Sequence, residues 1–110
     1  MSAQFEHAMH AAMATMDTAM RAAPMTGDPD RDFLAMMVPH HEGAVEMARL
    51  VLVHGRDPLV RQLAEEIIAG QQAEIVSMRG RLAVLASGRE VEPGGYPALS
   101  GTRGPARPAR

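Results

Sequence analysis

The chain has no cysteine, no lysine and no tryptophan, and its aromatics are two phenylalanines and one tyrosine. Without cysteine there is no disulfide, no thiolate zinc site and no thiol nucleophile, and every compartment stays open. Without large aromatics, the interior of this 110-residue domain must be built from Ala, Val, Leu, Ile and Met. Such side chains suit helices that approach closely and suit strands poorly. All eleven basic residues are arginines, scattered among thirteen acids for a net charge of −2. They form no basic stripe of the kind nucleic-acid binding needs. No apolar run approaches the roughly 20 residues of a membrane span. The opening Met1-Ser2-Ala3-Gln4 lacks the basic and then apolar segments of a signal peptide, although removal of such a segment would leave the same text.

Several catalytic patterns are also missing. His41-Glu42 begins like a zincin, but Val45 stands where the second histidine is needed. Di-iron bundles need Glu-x-x-His from two helices. The residues three after Glu6, Glu42, Glu46, Glu65, Glu66 and Glu74 are Met9, Val45, Arg49, Ile68, Ala69 and Ser77, and none is histidine. Neither a Gly-rich phosphate loop nor a Ser-centred elbow is present.

What the chain does have is ten methionines and five histidines. The stretch Met36-Met37-Val38-Pro39-His40-His41-Glu42-Gly43-Ala44-Val45-Glu46-Met47-Ala48 holds three of the first and two of the second. Wound as a helix at about 100° per residue, it brings Met36, His40 and Met47 within about 40° of one another. Phe33, Met37, Ala44, Val51 and Ala48 continue that face, and His41 sits at its edge. Glu42, Glu46 and Arg49 point the other way. His40 is therefore expected to face the core, among thioethers.

Three helices are predicted. Phe5, Met9, Met13, Met16 and Met20 recur at spacings of three and four, giving a first helix over about 3–23 that Pro24 to Gly27 ends. Asp28-Pro29-Asp30 is a start signal: Asp28 caps, Pro29 fits the first position, and Asp30 and Asp32 favour the positive end of the dipole. This second helix runs to about His54, where Gly55 stops it. Pro39 inside it removes a backbone donor and should kink it near Ala35. Asp57-Pro58 repeats the start signal for a third helix over about 58–87. Its apolar face carries Val60, Leu63, Ala64, Ile67, Ile75, Met78, Leu82 and Leu85, with Gln71 and Glu74 inside it. Short loops imply antiparallel neighbours. Residues 1–87 thus read as an all-α antiparallel bundle of three long helices. Residues 88–110, rich in Gly, Pro and Arg, read as a disordered tail. Three such helices give a thin core, which implies either a homodimer or a second helix acting as two segments.

In such a bundle the middles of the helices are level, and Met9, Met13, Met36, Met37, Met47 and Met78 converge with His40, Gln71 and Glu74. Thioether sulfur is a soft, neutral ligand and imidazole is intermediate. Without cysteine the pair favours Cu(I) over Mg, Ca or Zn. Glu74 could add a hard oxygen for Cu(II) or orient an imidazole. Each piece has a plainer reading. Methionines at helical spacing fill cores. A histidine on an apolar face can be a hydrogen-bonded core residue, and Gln71 and Glu74 can satisfy it or each other. His7, His10 and His54 read as surface residues, with His10 best placed to join a site.

The sequence resembles a bacterial family, the domain-of-unknown-function family 305. The matching text is Gly27-Asp28-Pro29-Asp30-Arg31-Asp32-Phe33, Met37-Val38-Pro39-His40-His41-Glu42-Gly43-Ala44 and Met47-Ala48. It continues through Gly55-Arg56-Asp57-Pro58 and Ala64-Glu65-Glu66-Ile67-Ile68 to Gln71, Glu74-Ile75 and Met78. The resemblance implies a ferritin-like helical bundle and, if a signal segment was removed, a periplasmic or secreted home. Some members bind copper and support copper tolerance. The positions this carries over are His40, His41, Met37, Met47 and Met78, with Met9, His10 and Met13 from the first helix. Two departures stand out: Glu42 replaces the family's usual Gln, and Arg81 replaces a frequent Trp.

The expected function is copper binding, with Cu(I) sequestered or passed to a delivery partner, and not an enzyme. The competing expectation is a structural or interaction module whose Met-rich interior is core or dimer interface. A copper redox enzyme is a third.

Overall fold

Capping chemistry sets where the helices begin and end. α1 (Ser2–Ala22), α2 (Pro29–His54) and α3 (Pro58–Ser87) lie within a residue or two of the predicted spans. The structure is a computed structural model and describes residues 2–87; no strand occurs among them. The expected tail, 88–110, lies outside the described residues.

Asp28 caps α2, its carboxylate accepting from the Asp30 amide at 3.3 Å. Asp57 does the same for α3, accepting from the Val60 amide at 2.9 Å. Between α1 and α2 the chain turns through Gly27 at φ +90°, where a side chain would be strained. Asp32 locks this turn by accepting from the Thr26 amide and hydroxyl, each at 2.8 Å, and from the Gly27 amide at 2.9 Å. These bonds, the Thr26 amide first, hold its carboxyl below the usual carboxylate range. Gly55 ends α2 with an ordinary φ of −82°, not in the left-handed region. Glycine is needed there because a Cβ would stand 2.8 Å from the Val51 carbonyl oxygen. Arg61 then satisfies two carbonyls at the α2 terminus, donating to Leu52 O at 2.7 Å and Gly55 O at 3.1 Å.

α2 lies between the other two helices and runs helical through Pro39. Toward α3 it presents Val38, His41, Val45 and Ala48, and the buried cluster there is Val38, Val45 and Ile75, with Ile68 and Met78 against it. Toward α1 it presents Gly43, which lies so close to Met16 that a Cβ would stand 2.6 Å from Met16 Cγ. Phe5 of α1 packs edge-on against His54 at 5.5 Å. α1 and α3 do not meet: no Cα of one comes within 8 Å of the other. The result is wide and thin, 54 × 31 × 16 Å, with a radius of gyration of 17.5 Å. Even the whole chain packed compactly would have about 13 Å.

This arrangement corrects the expected burial. No single interior gathers methionines from all three helices, because α2 separates α1 from α3. The stripe expected to face the core is covered only in part: His40 is exposed and Phe33 is 60% exposed, while Met36, Met37, Ala44, Met47 and Val51 are half-buried and Ala48 is buried. On α3, Val60, Leu63 and Ile67 are likewise exposed, while Ala64 and Ile75 of the same stripe are buried. A middle helix buries two opposed flanks. On α2, Gly43 lies about 160° round from Val45 at 100° per residue, and the His40 stripe falls between those flanks.

Candidate metal centre

His41, not His40, is the histidine that the fold encloses. It is 8% exposed, on the flank that α2 turns to α3. Its Nε2 lies 2.6 Å from Glu74 Oε1. A carboxylate only accepts, so Nε2 is the donor and a neutral ring keeps its lone pair on Nδ1. His41 Nδ1 is buried and has no hydrogen-bond partner. One turn before Glu74 on α3, Gln71 Oε1 is also buried without a partner. The His40 ring stands beside His41, centroid to centroid 6.1 Å, tilted by 58°.

The next residue, Glu42, pairs with Arg79 across the same two helices. Successive helical residues point about 100° apart, so His41–Glu74 and Glu42–Arg79 bracket the α2–α3 seam from opposite sides. They divide the layer into two unlike faces. The Glu42 face is charged, with Glu46, Arg49, Gln72 and Arg79 around one hollow at the seam. Between α1 and α2 the same side forms a cleft of ≈ 520 Å³, where α1 offers Ala8, Ala12, Thr15 and Ala19 against Glu42 and Glu46. The other face carries the His40 stripe and the exposed α3 residues Leu63 and Ile67.

The remaining predicted site residues divide between helices. Met36, Met37 and Met47 are half-buried on α2 along the stripe of His40. Glu74, 62% exposed at its side chain, holds His41, and Met78 is half-buried against the core cluster. On α1, Met9 is half-buried, while Met13 and His10 are exposed. They lie across α2 from Met78 and Glu74, so the expected set is not brought to one point. His41 and Glu74 are brought together, with the His40 ring 6.1 Å from that of His41 and Met36 and Met37 one helical turn before His40. Among the described residues no three His, Asp or Glu side chains gather into a metal-binding group. An ion held here would need the thioethers as well as imidazole. The buried flank was open to a reading of the text: Val38, His41, Val45 and Ala48 recur at three, four and three.

These features define a small all-α protein whose middle helix carries adjacent histidines, one buried and carboxylate-bonded, one exposed beside half-buried methionines. The chain belongs to the family described as Domain of unknown function (DUF305), which matches residues 1–82, all of α1 and α2 and most of α3. It is also similar to the uncharacterized protein L153 of Acanthamoeba polyphaga mimivirus, at 40% identity over 53 residues. That match covers 48% of this chain and 35% of the viral protein, so it spans about a third of that relative's length.

Proposed function

We propose that this chain binds copper and sequesters or hands on Cu(I), serving metal tolerance rather than catalysis. The observation that supports this best is His41 Nδ1, a buried imidazole nitrogen without a hydrogen-bond partner, on a ring whose Nε2 is held by Glu74. Histidines that ligate metals commonly place their other ring N–H on a carboxylate, which sets the tautomer and raises ligand basicity. His40 stands alongside, and Met36, Met37 and Met47 offer soft sulfur on the same helix. Neutral imidazole with thioether suits Cu(I) and gives little to Mg or Ca, with Cu(II) a second choice through Glu74. Met78 lies on the Glu74 side. Met9, Met13 and His10 form a separate, looser donor group on α1. The family resemblance adds copper binding by some members and, if a signal segment was removed, a periplasmic or secreted home; handing on Cu(I) would require a delivery partner protein.

The finer fold reading belongs with this proposal. Phe5 against His54 and Met16 against Gly43 favour antiparallel neighbours in a ferritin-like arrangement. A bend at Pro39, which cannot donate to the Ala35 carbonyl, would aim the two histidines that follow.

The test is a titration of metal-free protein with Cu(I), anaerobic and reducing, against a Cu(I) chelator, with Zn(II) run in parallel. Stoichiometric binding that outcompetes the chelator, weak Zn(II), and loss of Cu(I) binding in His40→Ala and His41→Ala are expected. Failure of wild type to take Cu(I) from the chelator overturns the proposal. The Met-rich stripe is then a packing surface alone.

A further inference from the structure

We infer that α1 supplies a donor to the ion held at His40, and that this donor is Met20. The inference rests on the copper reading above and adds to it a ligand from a second helix. Two contacts fix how α1 lies along α2. The Phe5 ring meets that of His54, and Met16 meets Gly43. Eleven residues separate Phe5 from Met16, and eleven separate Gly43 from His54. The two contacts therefore share one register, in which each step forward along α1 is a step back along α2. Carried four residues further, that register sets Met20 level with Pro39. Met36 and His40 are neighbours one turn apart on α2. Both lie within about 5 Å of the level of Met20 along the axis.

The side of the seam follows from the cleft between the same two helices. Its walls include Ala8, Thr15 and Ala19 of α1 and Pro39, Glu42 and Glu46 of α2. On α1, Ala19 lies about 60° round from Met16 toward that cleft, and Met20 lies about 40° round the opposite way. On α2, Pro39 lies about 40° from Gly43 toward the cleft, while Met36 and His40 lie about 20° and 60° the opposite way. Met20, Met36 and His40 thus share one level and one side of the seam. Met20 and Met36 are half-buried, and His40 is exposed. Two thioethers and one imidazole form a neutral, soft set that suits Cu(I). Met13 lies on the same side of α1, but it stands about 10 Å further along the helix, too far to share an ion with His40. The shared ion also has a structural effect. α1 packs only on α2, and none of its described side chains is buried. A ligand bond from Met20 ties α1 down at one more point, so metal should oppose its local opening.

Met20→Leu keeps the bulk of the side chain and removes its sulfur. Against the same chelator it should weaken Cu(I) binding by about tenfold or more, since even a group behind the ligands is worth about 10–100-fold in metal affinity. Met13→Leu should bind as wild type does. Cu(I) is diamagnetic, so NMR of protein with isotope-labelled methionine methyl groups follows the site directly. The Met20 and Met36 signals should move together with those of the His40 ring as Cu(I) is added. Amide hydrogen exchange in α1 should slow with Cu(I) in wild type and not in Met20→Leu. In metal-free protein, a nuclear Overhauser effect is expected from the Met20 methyl group to the Met36 methyl group or the His40 ring. Its absence to both overturns the placement, whatever copper does. Cu(I) binding unchanged in Met20→Leu, or lost in Met13→Leu instead, overturns the inference and leaves the copper reading standing. A wild type that takes no Cu(I) overturns the copper reading, and this donor role with it.

Discussion

Three glycines inside helices can be given the same methyl group with opposite consequences. Gly70 and Gly80 of α3 have nothing within 4 Å of an added Cβ, so alanine there should follow intrinsic propensity and stabilise by about 1 kcal/mol each. Gly43 of α2 faces α1. A Cβ at that position would lie 2.6 Å from Met16 Cγ and 2.8 Å from Met16 Cβ. The second of these atoms is fixed to the α1 backbone, so swinging the thioether aside is not enough and the helices must part. Overpacking of this kind costs about 1–3 kcal/mol, against which the helix-propensity gain returns about 1. Gly43→Ala should therefore destabilise by about 0–2 kcal/mol and Gly70→Ala should stabilise, a separation of about 1–3. Urea unfolding followed by circular dichroism reads both. In a Met16→Ala background, where Sδ and Cγ are gone and Cβ remains, part of the Gly43→Ala cost should be recovered as a coupling of about 0.5 kcal/mol or more. If Gly43→Ala stabilised as much as Gly70→Ala, α1 could not pack on α2 through this contact, and the layer drawn from it would be wrong.

The two histidines should separate without metal. His40→Ala, at an exposed position, should leave stability within about 0.5 kcal/mol, and His41→Ala should lose about 1–3 through the Glu74 bond and the vacated space. Equal losses in chemical denaturation would contradict their assigned environments. Asp32 accepts three bonds and has a lowered pKa, so the stability it contributes is full above its ordinary value of 3.8 and is lost as pH falls through the lower native value. The gap in urea midpoint between wild type and Asp32→Asn should accordingly close in acid, and a gap that widened there would reverse the assignment. Arg61→Ala exposes two α2 carbonyls and should cost about 1–2 kcal/mol. Arg61→Lys, a single ammonium reaching toward both oxygens, should recover only part of it. Full recovery would mean that charge near the helix end matters and the paired bonds do not.

What the text revealed and what it hid follow from the same geometry. Asp28-Pro29 and Asp57-Pro58 are local chemistry, each a side-chain cap followed by a residue preset for a first helical turn, and so both helix starts were legible within a residue. The solvent side of α2 was legible as well, because Glu42, Glu46 and Arg49 cannot be buried unpaired. The choice between His40 and His41 was not local. A helical wheel assumes one core and finds the strongest apolar stripe, and on α2 that stripe is centred on His40. The fold gives α2 two neighbours instead of one, and the flanks they bury hold smaller groups: Val38, Val45 and Ala48 on one side, Gly43 on the other. Glycine 43 carries no hydropathy signal, yet it fixes how near α1 can come. The strongest stripe is then left between the two contacts, its methionines half-buried and His40 exposed. Had α1 closed over that stripe, the methionines of α1 and α3 would have met His40 in one interior. Because α1 lies beyond Gly43, donors that a wheel superimposes are held apart in a single chain. Only His41, on the secondary flank, acquires a buried nitrogen and a partner that fixes its ring.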